Sequence, residues 1–259
     1  MRVAVIGTGH VGLVAAATLA EIGHRVVGTD SDREKIDLLA RGIAPFHEPG
    51  LDELIRANTG AGRLSFTPDT AEAVSTAEVV FVCVGTPAKS TGEANLIAVE
   101  RAVRTIAMHA IDGLVLVQKS TVPAGTAAKV QQAIRVNGGG SPRRIEVVSN
   151  PEFLREGRAI EDSLDPDRIL VGSASARALK VMRELYRPLI DKGCIYIETD
   201  VKTAELAKHA SNAFLALKIS FANALARICE QAGADVVDVT GIMGSDPRIG
   251  SSFLSAGLG

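Results

Sequence analysis

Apolar positions along the first two thirds of the chain follow two alternating rhythms. Short β-branched runs at 2–6, 25–28, 78–84 and 114–119, with shorter ones at 145–149, 168–171 and 194–198, have the length of buried strands. Between them, a helical period predicts helices over 33–41, 48–58, 96–109, 126–135 and 174–189. Strands alternating with helices in this way imply an α/β fold, a mostly parallel sheet covered on both faces. A different rhythm starts near Thr199. Residues 201–232 are rich in Ala, Leu, Lys and Glu without proline or glycine, and Gly233 supplies a stop, so one long helix is expected. Its apolar residues cover more than one stripe, which suits packing on two neighbours or across a subunit interface. The expected organisation is one domain over 1–198 and a central helical region over 199–259. The stretch 137–142, with three successive glycines, reads as a surface loop inside the first domain.

The first thirty residues add chemistry to that pattern. Gly7, Gly9 and Gly12 follow the first strand at G-x-G-x-x-G spacing and open a helix expected from Val11. Gly7 would allow the tight turn, Gly9 the approach of a pyrophosphate, and Gly12 the close seating of the helix on the sheet. Backbone N–H groups at that helix start suit an anion. The second strand runs into Asp30, where a carboxylate can accept from adenosine ribose hydroxyls and repel a 2′-phosphate. These features predict a Rossmann-type doubly wound domain holding NAD. Arg33 keeps NADP tolerance open, since a guanidinium can pair with the extra phosphate.

Composition narrows the field. The 259 residues are 46% hydrophobic, enough for a substantial core, and 28 basic residues against 30 acidic ones leave a net charge of -2. Without a dense basic run, and with 3% aromatic residues and no Trp, nucleic acid is not an expected partner. No apolar run reaches the length of a membrane span and no signal-peptide pattern precedes the first strand, so no membrane association and a cytoplasmic location are expected. Cys83, Cys194 and Cys229 are widely spaced, which indicates core thiols and neither a disulfide framework nor a metal site.

Several later segments offer reactive groups. Val84, Gly85, Thr86 and Pro87 close one predicted strand, and Lys119, Ser120 and Thr121 close another, both where ligands of open α/β sheets bind. Thr86 and Thr121 could offer hydroxyls to a cofactor or water, or could simply cap their turns. Asn150-Pro151 reads as a helix start, which would place Glu152 and Glu156 on one face. Paired acids there suggest chemistry, and acids at a helix start also complement its dipole. Lys208 and Asn212 share a helical face, serving either a site or a solvated surface. His10, His24, His47, His109 and His209 are scattered, with no acid patterned nearby.

These segments line up in one order: the glycine turn with Asp30, Glu48-Pro49-Gly50-Leu51, Val84 to Pro87, Lys119 to Pro123, Asn150 to Gly157, Lys208 with Asn212, and Asp246-Pro247-Arg248-Ile249-Gly250. Along its whole length the chain resembles the nucleotide-sugar dehydrogenases, with the Asp246 to Gly250 segment closer to the UDP-glucose branch than to the GDP-mannose or UDP-N-acetylhexosamine branches. The resemblance implies oxidation of a primary alcohol to a carboxylate with two NAD in succession, through a cysteine thioester. It implies NAD contacts from His10, Val11, Lys35, Val84 to Pro87, Ser120, Thr121 and Glu156, beside the glycines and Asp30. It implies that Lys208 stabilises negative charge on the substrate oxygen, that Thr121 and Asn212 position water and sugar, and that Glu152 acts as acid or base with Glu156 in support. Phe153, Leu154 and Arg248 are implied substrate contacts, and the long helix implies a homodimer. Two positions depart from the family pattern, Asn95 and Ala224, and neither carries a proposed catalytic group.

In the family, the nucleophilic cysteine follows a segment like Ser252 to Gly259, and none of the three cysteines matches it. The expectation is a partial chain that binds NAD without completing the two-step oxidation. Two other readings compete: a single-step hydroxyacid dehydrogenase, and a non-catalytic nucleotide-binding or dimerisation module.

Overall fold

Strands and helices alternate from Arg2 to Thr199 in the computed structural model, which describes residues 1–138 and 143–258. Residues 139–142 of the glycine loop lie outside the described residues. The first half comprises β1 (Arg2–Ile6), α1 (His10–Glu21), β2 (Arg25–Thr29), α2 (Arg33–Ala40), α3 (Leu51–Gly60), β3 (Leu64–Thr67), α4 (Thr70–Thr76), β4 (Val79–Val82) and α5 (Ile97–His109). There follow β5 (Val115–Gln118), α6 (Thr126–Asn137), β6 (Glu146–Ser149), α7 (Ala159–Leu164), β7 (Arg168–Gly172), α8 (Ala176–Leu185), α9 (Arg187–Ile190) and β8 (Ile195–Thr199). The chain ends with α10 (Val201–Ala232) and α11 (Val236–Gly244).

Among the described residues eight strands join one sheet in the order β3-β2-β1-β4-β5-β6-β7-β8. The chain walks outward from β1 to β3 and returns to β4 beside β1, so the order reverses between β1 and β4. That reversal opens a crevice at the carboxyl ends of the strands. Alternate residues feed two cores: Val3 and Val5 pack with Leu13, Leu19 and Val117 on one face, Ala4 and Ile6 with Val82, Ile106 and Leu116 on the other. Burial on both faces is why the strands read as unbroken apolar runs.

One pairing breaks the parallel rule. β6 and β7 run antiparallel and meet through a single residue pair, Ser149 with Gly172. The connection from 150 to 167 therefore stays at the carboxyl edge of the sheet and does not cross a face.

Four elements escaped the sequence pattern: β3, α4, α7 and α11. The first three have four, seven and six residues, too few for a period to emerge. The helix expected over 174–189 is divided at Tyr186, because Pro188 near the start of α9 cannot supply an interior helical N–H. A more consequential correction concerns Asn150-Pro151. No helix follows it; residues 150–156 form an irregular strap, and helix begins only at Ala159. Asn150 is drawn into the interior, where it bonds across the β6–β7 gap and caps nothing.

Two compact units divide the chain, Met1–Leu206 and Ala207–Gly259. Within the second, the Asn223 amide exchanges two hydrogen bonds with the Gly257 backbone, at 2.8 and 2.7 Å. Asp235 caps α11 by accepting from Val237 N and Asp238 N.

Candidate functional site

Three glycines meet three different environments at the turn between β1 and α1. Gly7 has φ +93°, and a Cβ there would lie 2.7 Å from the Cys83 carbonyl oxygen. At Gly12 a Cβ would fall 1.9 Å from the Gly7 carbonyl oxygen and 2.9 Å from Cys83 Cβ, so α1 approaches the sheet more closely than any side chain permits. Gly9 is exposed, and a Cβ on it would meet nothing within 4 Å among the described residues. Two glycines are thus required by the fold, and the third leaves open space over the start of α1.

Asp30 closes the turn from below. Its Oδ2 accepts from Thr8 N and Thr8 Oγ1, both at 2.9 Å, and from Lys35 Nζ at 3.0 Å, while Oδ1 accepts from Asp32 N at 3.1 Å. Burial alone would push the carboxyl pKa up, but these four donors together outweigh it and hold the group below the ordinary carboxylate range. Among the described residues Oδ1 thus accepts one hydrogen bond where Oδ2 accepts three. Lys35, and not Arg33, is the cation on this carboxylate; Arg33 is exposed at the first position of α2.

The turns after β4 and β5 are stitched together by hydroxyls. Ser120 Oγ donates to Val84 O at 2.7 Å, and Thr86 Oγ1 donates to Thr121 O at 2.8 Å. Val84, Gly85 and Pro87 then line one wall of a cleft of about 420 Å³, with Gly7, Asp30 and Arg101 on the others. This volume is in the range of small-molecule sites.

The strap follows β6 and lines a different cavity. Asn150 is 2% exposed; its Nδ2 donates to Leu170 O at 2.8 Å, and its Oδ1 accepts from Tyr186 Oη at 2.6 Å and Lys119 Nζ at 3.4 Å. Glu152 is half-buried and folds back so that its Oε2 accepts from Leu154 N at 2.7 Å. The Phe153 ring lies 4.1 Å from the Arg168 guanidinium, a cation–π contact. Glu156 is exposed, and without a helix it shares no face with Glu152. A second cavity of about 370 Å³ is lined by the strap residues Glu152 and Leu154, by Ala15 and Thr18 of α1, and by Tyr186.

Sequence reasoning missed the residue that holds the far end of this strap. Glu48, with a side chain 1% exposed, accepts from His10 Nε2 at 2.9 Å, Gly157 N at 2.9 Å and Ala159 N at 2.8 Å. His10 therefore has an acid after all, 38 residues away in sequence. Burial pushes Glu48 up, and the bonds from His10, Gly157 and Ala159 together bring it below its ordinary value.

The remaining candidates lie in the second unit. Lys208 is buried and Asn212 exposed, so the two do not share one environment. Arg248 is exposed and pairs in a fork with Asp246, Nε to Oδ1 at 3.0 Å and Nη2 to Oδ2 at 2.6 Å. Of the thiols, Cys83 and Cys229 are buried while Cys194 is partly exposed. Burial pushes Cys83 up to about 12, a protonated core thiol at neutral pH. Among the described residues no group of three potential metal ligands is gathered, and no helix is long and apolar enough to cross a membrane.

Comparison with known proteins bears directly on the cleft. Residues 1–190 match the NAD binding domain of the UDP-glucose/GDP-mannose dehydrogenase family, and residues 202–259 match its central domain. The chain belongs to this family. It is 48% identical to a UDP-glucose 6-dehydrogenase of Bacillus subtilis over 259 residues, all of this chain and 58% of that protein. Among solved structures, a UDP-glucose dehydrogenase from Pyrobaculum islandicum superposes with a TM-score of 0.93 at 40% identity, covering 99% of this chain and 59% of the other. A GDP-mannose dehydrogenase from Pseudomonas aeruginosa gives 0.90 at 35% identity, covering 98% and 58%. The chain thus spans somewhat under two thirds of the family members it matches. Membership of this family sets aside the hydroxyacid dehydrogenase reading and makes NAD the cofactor of the domain over residues 1–190.

Proposed function

We propose that this chain supplies the NAD-binding part and central helix of an enzyme that oxidises UDP-glucose to UDP-glucuronate. The observation that carries the reading is the open space at Gly9 between two glycines closed by packing, beside an ionised Asp30. Bound NAD would supply the oxidising power by accepting hydride. The backbone N–H groups of His10 and Val11 at the start of α1 would hold its pyrophosphate, and Asp30, steadied by Lys35, would hold the ribose. Val84, Gly85, Thr86, Pro87, Ser120, Thr121 and Glu156 are the further residues proposed to hold the cofactor.

Toward the sugar, the Lys208 ammonium opposes negative charge developing on the reacting oxygen, an electrostatic contribution of the oxyanion type. Thr121 and Asn212 orient water and sugar, Glu152 moves the proton, and Phe153, Leu154 and Arg248 contact the substrate. UDP-glucose is favoured over GDP-mannose and UDP-N-acetylhexosamines by the 48% identity to proteins named for it. A homodimer is proposed on the apolar residues that α10 exposes, and a cytoplasmic location on three free cysteines.

Isothermal titration calorimetry with NAD, NADP, UDP-glucose and GDP-mannose tests the reading. NAD is expected to bind, with NADP weaker because Asp30 repels its 2′-phosphate. Absence of NAD binding would remove the reading, and tighter binding of GDP-mannose than of UDP-glucose would change the substrate assignment.

A further inference from the structure

Glu48 opens the Glu48-Pro49-Gly50-Leu51 motif, yet no step above uses it. A carboxylate with a side chain 1% exposed is tolerated only when fully hydrogen-bonded, and Glu48 draws its donors from two separate parts of the chain. One is His10, the first residue of α1, whose ring is held against Phe46 at a centroid distance of 5.1 Å. The same residue offers its backbone N–H at the glycine turn and its ring to Glu48. The other part is the end of the strap, where Gly157 N and Ala159 N donate to the two carboxylate oxygens. Arg158, the N-cap of α7, provides no side-chain cap, so the Glu48 carboxylate performs that task from outside. Asn150 fixes the near end of the strap on Leu170 O and Tyr186 Oη. Glu152 and Glu156 lie between these two anchors, on a strap that Arg155 also ties to Asp162 and Phe153 to Arg168.

We propose that His10 and Glu48 are positioning residues that couple the glycine turn to the strap, so that seating the dinucleotide on α1 sets the placement of Glu152 and Glu156. This rests on the NAD reading of the glycine turn given above. The link is short and rigid: one ring, one carboxylate and two backbone amides, joined by charge-assisted bonds of 2.8–2.9 Å. Any displacement of the first turn of α1 must be shared by Gly157 or break a buried ionic hydrogen bond.

The test compares the chain with its Glu48→Gln and His10→Phe variants. The second keeps an aromatic ring against Phe46 and removes both ring nitrogens. Three quantities are read: NAD affinity by calorimetry, NAD-dependent slowing of amide hydrogen exchange at 7–13 and at 151–156, and the urea midpoint without NAD. In the unmodified chain NAD is expected to slow exchange in both segments. In each variant the affinity is expected to fall about tenfold, the scale of ordinary coupling between sites. Protection should then persist at 7–13 and vanish at 151–156. A lowered urea midpoint with NAD-dependent protection of 151–156 intact would show a structural role alone and overturn the proposal. Should Glu48→Gln fail to fold, His10→Phe decides by the same criteria. If the unmodified chain does not bind NAD, the glycine-turn reading itself fails; if it binds and the variants match it, only the coupling fails.

Discussion

A methyl group added at Gly12 would sit 1.9 Å from a carbonyl oxygen, whereas one added at Gly9 would meet nothing within 4 Å among the described residues. The two substitutions should therefore separate folding from binding. Gly12→Ala is expected to cost about 3 kcal/mol or more in urea unfolding, at the upper end of overpacking. Gly9→Ala should change stability by less than about 0.5 kcal/mol, as surface changes do, and still abolish NAD binding. Equal losses of stability at both positions would contradict the assignment. Acid should weaken the same region. Asp30 and Glu48 are held below their unfolded pKa values of about 3.9 and 4.3. Their stabilisation is complete above those values and is lost as pH falls through the folded ones, because the unfolded chain takes up protons first. The urea midpoint should fall from about pH 5 downward, and less steeply in Glu48→Gln. The tight turn at Gly7 and the close seating at Gly12 were legible because each role is local. The partner of Glu48 was not, since nothing near the Glu48-Pro49-Gly50-Leu51 motif announces Gly157.

At the level of elements, the parallel strands could be read directly, since burial on two faces leaves an unbroken β-branched run. The strap could not. Asn followed by Pro is the local pattern of a helix start, and only tertiary partners distinguish a cap from an anchor. Asn150 continues with its side chain the pairing that β6 and β7 share at one residue pair, bonding Leu170 O across the gap. Asn150→Ala would leave Leu170 O and the buried Tyr186 hydroxyl without this partner, and a loss of about 2–3 kcal/mol in thermal or urea unfolding is expected. A loss below about 0.5 kcal/mol would mean that water replaces the amide. Cys83, just after β4 and against Gly12, is buried with its thiol raised to about 12. Iodoacetamide at neutral pH should therefore modify Cys194 while sparing Cys83, as peptide mapping would show.

Across the whole molecule, the two units present different surfaces. The first has two sheet-flanking apolar cores and scattered exposed apolar side chains such as Ile97, Val136 and Ile195, whereas α10 exposes Phe214, Leu217, Phe221 and Ile228 at helical spacing. Sedimentation velocity over a concentration series should show reversible self-association, and Leu217→Glu with Phe221→Glu should leave a monomer. A monomeric unmodified chain throughout the series would refute the proposed homodimer. The cleft also records distances along the chain. Thr8 meets Asp30 across 22 residues, but Asn150 waits 36 for Tyr186, and Glu48 waits 109 and 111 for Gly157 and Ala159. Longer closures forfeit more entropy and open more readily. On a growing polypeptide the dinucleotide turn can take shape while the strap is still unmade, and in mild denaturant the order should reverse: the strap loosens while the turn persists.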